Sequence, residues 1–332
     1  MPRLTQLDEV LFPVEEHPVL VSFRSRSGER QLPVPEKKAL VNSNNGRVLG
    51  IVSRDYRLVS NREALDYACA CCRTAFPETE PVEWKVEVTD APATGGHCYI
   101  DLAHNSTALD VTFVPAHDRP DAFGPFIRVT NSYNSQRALA FDIGFFRKVC
   151  RNGLVVRELS IRFKFLHTRR DIGAGIRFEI DQNQLTRFRT GFRDHLAALR
   201  GCAVPRKSFE PFVCGVLLIR SPSSLRPESR EAEDWAALSA YIGGLCNRYA
   251  ETLGENAYAV MNAVTDFASR PPQNRCVHRD RHTLQCLAGT WLGNFSAECR
   301  KRGFILSDYV KRLATATTAS AVGRRARANE NN

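Results

Sequence analysis

The sequence predicts an α+β protein, strand-rich with a few helices over its N-terminal two-thirds and all-helical in its C-terminal part. Three observations predict it. Short runs of alternating apolar and polar residues recur between about residues 18 and 166, the period of half-buried strands. From Glu231 onward the apolar residues recur instead at helical spacing in three stretches. Between the two regimes, Ser221-Pro-Ser-Ser-Leu-Arg-Pro-Glu-Ser-Arg230 has the composition of a linker or mobile loop. The expected organisation is an α+β domain over 1–215, a linker over 216–230, a helical part over 231–318 and a disordered tail over 319–332.

Each element has a local reason. Residues 18–24 and 47–59 read as strands, with Ser53-Arg54-Asp55 as a tight turn. Asn61 is the expected N-cap of a helix through Phe76, with Glu63 in its first turn and Pro77 and Pro81 closing it. Trp84–Val88, His97–Leu102, Ala108–Val114 and Phe126–Thr130 alternate as strands do. In Leu159–Leu166 the apolar Leu159, Ile161, Phe163 and Phe165 alternate with Ser160, Arg162 and Lys164, which makes one face apolar and the other basic. A helix follows from Gln182 to Arg200, with Leu185, Phe188, Phe192, Leu196 and Leu199 as its buried stripe. At 100° per residue, Arg189, Arg193 and Arg200 fall within about 40° of one another beside that stripe. The C-terminal helices cover 231–253, with Trp235, Leu238, Ile242, Leu245 and Tyr249 on one face, then 256–268 and 281–301.

Composition narrows the function classes. The chain has 332 residues, 43% hydrophobic and 25% charged, as in ordinary soluble globular proteins. No run of 18 apolar residues is present, and the N-terminus lacks the apolar core of a signal peptide, so a cytoplasmic protein without a membrane partner is expected. Eleven cysteines sit mostly in apolar stretches and read as small buried hydrophobes rather than half-cystines. A net charge of +10 and a pI near 9.2 point to an anionic partner. Between Arg137 and Arg200, 14 Lys/Arg face 6 Asp/Glu, with eight phenylalanines interleaved. Clustered positive charge with rings between suits a phosphate backbone and stacked bases; it equally describes a solvated face of an amphipathic sheet.

Three phrases carry a family likeness: Asn131-Ser132-Tyr133-Asn134; Gly144-Phe-Phe-Arg147-Lys148-Val-Cys150-Arg151-Asn152-Gly153-Leu154; and Leu253-Gly254 through Met261-Asn262-Ala263-Val264-Thr265-Asp266. Together they resemble the phage/plasmid-like proteins grouped as domain of unknown function 932, which overlaps uncharacterised protein family 0380. The likeness spans roughly residues 45–300. At Asn134-Ser135 this chain departs from the Asp-Gly or similar pair of many relatives. The resemblance implies a mobile-element setting and supplies no catalytic residues; DNA handling is an analogy drawn from that setting.

Candidate chemistry falls in three places. Arg147, Lys148 and Arg151 surround Cys150 and would lower its pKa, with His167 and Asn152 completing a Cys/His couple. Burial of Cys150 beside a turn at Asn152-Gly153 is the favoured alternative. Cys276-x-His278-x₃-His282-x₃-Cys286 offers four zinc ligands within 11 residues, although neighbouring arginines would repel a cation. The basic surface comprises Arg147, Lys148, Arg151, Arg162, Lys164, Arg169, Arg170, Arg187, Arg189 and Arg193. Neither a phosphate-binding glycine loop nor a base-reading motif is present. Asp101, Asp110 and Asp142 form no nuclease motif.

The first expectation is therefore a non-enzymatic accessory protein that binds DNA or RNA through its basic surface, backbone-directed and sequence-tolerant, in replication or recombination. The alternatives are a cysteine-dependent enzyme centred on Cys150 and His167, and an interaction module whose basic face docks an acidic protein. No cofactor is expected apart from the candidate zinc, and the sequence is compatible with a homo-oligomer.

Overall fold

The computed structural model describes residues 7–315 apart from 26–27, 78, 81–82, 93, 105–108, 115–119, 149–151, 156–161, 166–181, 223–225 and 227. The described residues form two compact units that interleave along the chain. One lies within Met1–Leu109, Pro125–Ile143 and Ile161–Leu185; the other lies within Asp110–Gly124, Gly144–Ser160 and Thr186–Asn332. The expected division was an α+β domain over 1–215, a linker over 216–230, a helical part over 231–318 and a tail over 319–332.

Unit one opens with a one-turn helix α1 (Leu7–Val10) and three antiparallel strands in the order β1 (Val14–Ser25), β2 (Gly28–Asn42), β3 (Arg47–Ser53). β2 was not expected; β3 ends at the turn expected at Ser53-Arg54-Asp55, and the second strand expected after that turn does not form. Helix α2 (Asn61–Ala75) follows; its N-cap is Ser60 rather than Asn61. The Ser60 hydroxyl accepts from Glu63 N while the Glu63 carboxylate accepts from Ser60 N, a reciprocal capping box. β4 (Trp84–Asp90), β5 (His97–His104), β7 (Asp121–Ser132), β8 (Leu139–Arg147) and β10 (Arg162–Phe165) are joined in the order β10-β8-β7-β5-β4. Of these, β7 and β8 give residues to both units.

The inner faces of β2 and β3 close a core of Leu40, Leu49, Val52, Tyr56 and Tyr133. Its polar hub is Asn61, at the start of α2. The Asn61 side-chain oxygen accepts from Asn131 Nδ2 (2.8 Å) and from the Cys98 thiol (3.1 Å), its Nδ2 donates to Val10 O, and its backbone N donates to Tyr133 Oη. Tyr56 in turn donates to Ser132 O at 2.6 Å. The Asn131–Tyr133 phrase is thus held by buried hydrogen bonds, which a dry interior requires of polar groups. Across the sheet, Arg128 forms two 2.6 Å bonds to its cross-strand partner Asp101.

In unit two, β6 (Val111–Phe113) pairs with the start of β7, and β9 (Asn152–Leu154) pairs with the end of β8. Asn152-Gly153 therefore lies in a strand, where a turn was expected. Helix α3 (Gln182–Gly201) is followed by α4 (Phe209–Leu217), α5 (Arg230–Leu253), α6 (Ala257–Ser269), α7 (Arg281–Glu298) and α8 (306–315). Asn256, Asp280 and Ser229 cap α6, α7 and α5 through their side-chain oxygens. Every residue of α6 is buried; it packs on α4, α5, α7 and β9. A helix buried on all sides must pair its polar residues, and Tyr249 and Arg270 accordingly donate to Asp266. Among the described residues, no helix is long and apolar enough to cross a membrane. The expected tail over 319–332 lies outside the described residues.

The packing of unit one makes one prediction. A Cβ on Gly50 would stand 2.5 Å from Tyr133 O and 2.6 Å from Asn134 Cα, both backbone atoms that cannot swing aside. Gly50→Ala should cost about 1–3 kcal/mol of stability, the usual range for overpacking. The check is the urea midpoint; an unchanged midpoint would contradict the close approach.

Candidate nucleic-acid interface

Helix α3 turns an apolar stripe inward because Phe192, Leu196 and Leu199 recur at helical spacing; all three are fully buried. Phe192 meets Phe145 at 4.4 Å and Phe123 at 5.4 Å between ring centroids, seating the helix on β8 and β7. The opposite side of the helix exposes Arg187, Thr190, Arg193, Asp194 and Ala197. The segment after α7 brings more positive charge to this face. Arg300 lays its guanidinium on α3, with Nη2 2.6 Å from Asp194 O, and Lys301 and Arg302 are exposed beyond it.

These cations differ in whether they are compensated. Lys301 and Arg312 pair with Glu298, Arg206 pairs with Glu251, and Arg248 and Arg270 pair with Asp266. Arg187, Arg193 and Arg302 are exposed and pair with no described residue. Over the full sequence ranges the two units divide the charge unequally. Unit one carries 19 Lys/Arg and 19 Asp/Glu, and unit two carries 27 against 17, so unit two holds all of the net +10.

The other expected site residues are placed as follows. Arg147 is not an exposed base: its Nη2 lies 2.7 Å from both oxygens of Asp121, and its Nη1 donates to Asn262 Oδ1 at 3.1 Å. Tyr258 donates to the same carboxylate at 2.7 Å, so Asp121 accepts from two side chains. Burial, then the Asp121 charge, raises the Tyr258 hydroxyl pKa and keeps that donor protonated. Lys148 pairs with the buried Asp110 at 2.8 Å. Arg200, expected beside Arg193, is half-buried and donates to Val114 O. Arg162 and Lys164 occupy β10 opposite Asp142 and Ala140, but their side chains, like that of Arg189, lie outside the described residues. Arg151, Arg169 and Arg170 lie outside them altogether, as do Cys150 and His167. Asn152 is placed by its backbone alone, opposite Arg147.

Of the interleaved phenylalanines, four have described side chains, and Phe146 among them is half-buried. Phe141, Phe145 and Phe192 are fully buried, and the one exposed phenylalanine among the described residues is Phe23, far from this segment in sequence. Base stacking on the expected rings has no support from those described. The four candidate zinc ligands are not assembled either. His282 Nε2 and Cys286 Sγ are 3.6 Å apart on one face of α7, as their spacing requires, but His278 is exposed and Cys276 half-buried. Among the described residues no three His, Cys, Asp or Glu side chains are grouped to hold a metal ion.

Unit one contains a cavity of about 280 Å³ lined by Phe12, Asn42, Arg47, Asn61, His97 and Cys98 among others. Burial pushes the Cys98 thiol up to about 12, opposed in part by a backbone hydrogen bond from Asn131, so no thiolate forms there near neutral pH. Burial likewise pushes the Cys71, Cys214 and Cys246 thiols up to about 12.

His195, on α3 between the buried stripe and Arg300, contacts Ser296 of α7. Burial, and next the Arg300 charge, lowers its pKa below 6.5 against the opposing Asp194. The unfolded chain therefore takes this proton first as pH falls, so stability is complete above 6.5 and declines as pH drops toward the folded value. His195→Gln should remove part of the acid-side loss of stability, read as a shallower fall of the urea midpoint below pH 6.5. An unaltered pH profile would contradict the burial of this imidazole.

Residues 48–288 match the model of the family described as Domain of unknown function (DUF932). No curated protein and no solved structure matches the chain. With most of its length covered by that model, the chain belongs to the DUF932 family.

Proposed function

We propose that this protein is a nucleic-acid-binding accessory protein of a phage- or plasmid-like element, acting in replication or recombination without catalysing a reaction. The observation that carries the reading is the confinement of the whole net charge to unit two, with Arg187, Arg193 and Arg302 exposed there and paired with no described residue. Exposed guanidinium groups with no internal acid keep their full attraction for an outside anion, and a polyanion rewards several of them at once through counterion release. The outer face of α3 offers two such groups on a helix anchored by Phe192, joined by the Arg300–Arg302 segment. No base-reading motif accompanies them, so contacts run to phosphates, and affinity depends on salt far more than on sequence.

The test is fluorescence anisotropy with labelled single- and double-stranded DNA across a salt series. Binding should weaken steeply and log-linearly with salt. Arg187→Gln/Arg193→Gln should reduce the slope on duplex DNA by about 1.8, which is two phosphate contacts at about 0.9 each. Arg147→Gln should leave the slope of the folded protein unchanged, because that guanidinium is committed to Asp121. Absence of binding at low salt, or an unchanged slope in the double variant, would remove the reading. Retention of an acidic protein partner after nuclease treatment would replace it with a protein-docking role.

A further inference from the structure

The sheet β1-β2-β3 has an exposed side that nothing described covers. Of nine large apolar side chains exposed among the described residues, six lie on this sheet: Leu20, Val21, Phe23, Leu32, Val48 and Ile51, each 40–58% exposed. Register explains their arrangement. Leu40 and Val52 face the core, so Ile51 and Val48 face outward, Val48 beside its half-buried partner Val41, while Ala39 opposite Ile51 is buried. Along β1 the alternation places His17, Val19, Val21 and Phe23 on that same outward face, with Val21 opposite Leu32. β3 pairs only with Lys37–Asn42, so Leu20–Ser25 and Gly28–Pro33 form a two-stranded ribbon beyond the core. Such a ribbon is marginal in water by itself.

The outer edge of β1 is also open. This 12-residue strand ends its sheet, pairs with β2 alone among the described residues, and, apart from Pro18 with no N–H to give, offers its outer backbone groups as a template for another strand. Its charges select the partner. Glu16 stands four residues before Leu20 and Arg24 four residues after it, both on the face opposite Val21. An identical strand laid antiparallel about a two-fold axis at Leu20 places Glu16 opposite Arg24 twice. The same register sets Leu20 against Leu20, Val19 against Val21, and His17 against Phe23. Parallel pairing would instead bring like charges together.

We propose that β1 is the dimerisation edge of this protein: two copies join antiparallel through β1, centred on Leu20, into one six-stranded sheet. The interface is isologous, as a two-fold axis demands, and each Glu16–Arg24 contact fixes its register. Within one chain Lys38 donates to Glu16 at 2.8 Å, and Arg24 stands across from Glu29 in the register, so the intermolecular pair adds Arg24 to a carboxylate that already has one cationic partner. The proposal is independent of the nucleic-acid reading.

Sedimentation equilibrium on the full chain, over the micromolar range, should give twice the 37.3 kDa chain mass. Glu16→Arg and Arg24→Glu each create two like-charge pairs and should weaken the dimer at least about tenfold. An equimolar mixture of the two variants restores both attractive pairs, so it should dimerise where neither variant does alone. A variant merely damaged in its own fold would not be rescued by mixing. Leu20→Cys should be joined to a second copy by a short bis-maleimide under conditions that leave the wild-type chain uncross-linked. A wild-type chain monomeric throughout the range, a dimer indifferent to both charge variants, or a Leu20→Cys chain that does not cross-link would each overturn the proposal.

Discussion

The Asp121 carboxylate is buried on β7 and is balanced by Arg147 from β8, with Tyr258 of α6 as its second donor. Asn262, one turn further along α6, holds the far side of the same guanidinium. Four side chains thereby lock two strands and the most buried helix together. Withdrawing one partner of such an ion pair leaves an uncompensated charge in the interior, at about 3–5 kcal/mol. The neighbouring rings make the arrangement matter for function: Phe123 and Phe145 flank Asp121 and Arg147 on the same strands, and Phe192 of α3 packs on both. Which arginines α3 turns outward follows from its own stripe of Phe192, Leu196 and Leu199, seated on those strands.

The phrases that mark the chain as a DUF932 member are therefore mostly structural. Arg147 and Asn262 complete the Asp121 network, while Asn131 and Tyr133 complete the hydrogen-bond hub at Asn61. Polar residues spent inside the protein are unavailable to a ligand. The chemistry open to the outside lies in the less distinctive parts of the sequence, on α3, after α7, and on the edge and outer face of the β1 sheet.

Much of this was legible in the sequence where the pattern is local. The stripe Phe192, Leu196, Leu199 gave α3, and the alternation at 84–88, 97–102 and 126–130 gave β4, β5 and β7. β2 escaped because Pro33, Pro35 and Glu36-Lys37-Lys38 interrupt its apolar alternation; the strand accommodates them in a register shift opposite Pro18–Leu20. Ser60 was overlooked as a cap in favour of Asn61, although the Ser-x-x-Glu spacing was present. Arg147 passed for a surface base because its partner Asp121 stands 26 residues earlier, a separation that a charge count does not connect. The same distance hides the role of the phenylalanines, whose ring partners come from other elements. Most of the charge excess over 137–200 falls in 144–160 and 186–200, two of the three stretches by which the chain enters unit two.

In the proposed nucleic-acid reading the Arg147 network is internal architecture, while α3 and the segment after α7 meet the nucleic acid. Hydrogen–deuterium exchange of the full chain, with and without an unlabelled DNA duplex, tests it most directly. Adding DNA should slow exchange in 186–201 and 299–304 and leave 121–124 and 144–148 unchanged. Protection of 144–148 with none on α3 would contradict it.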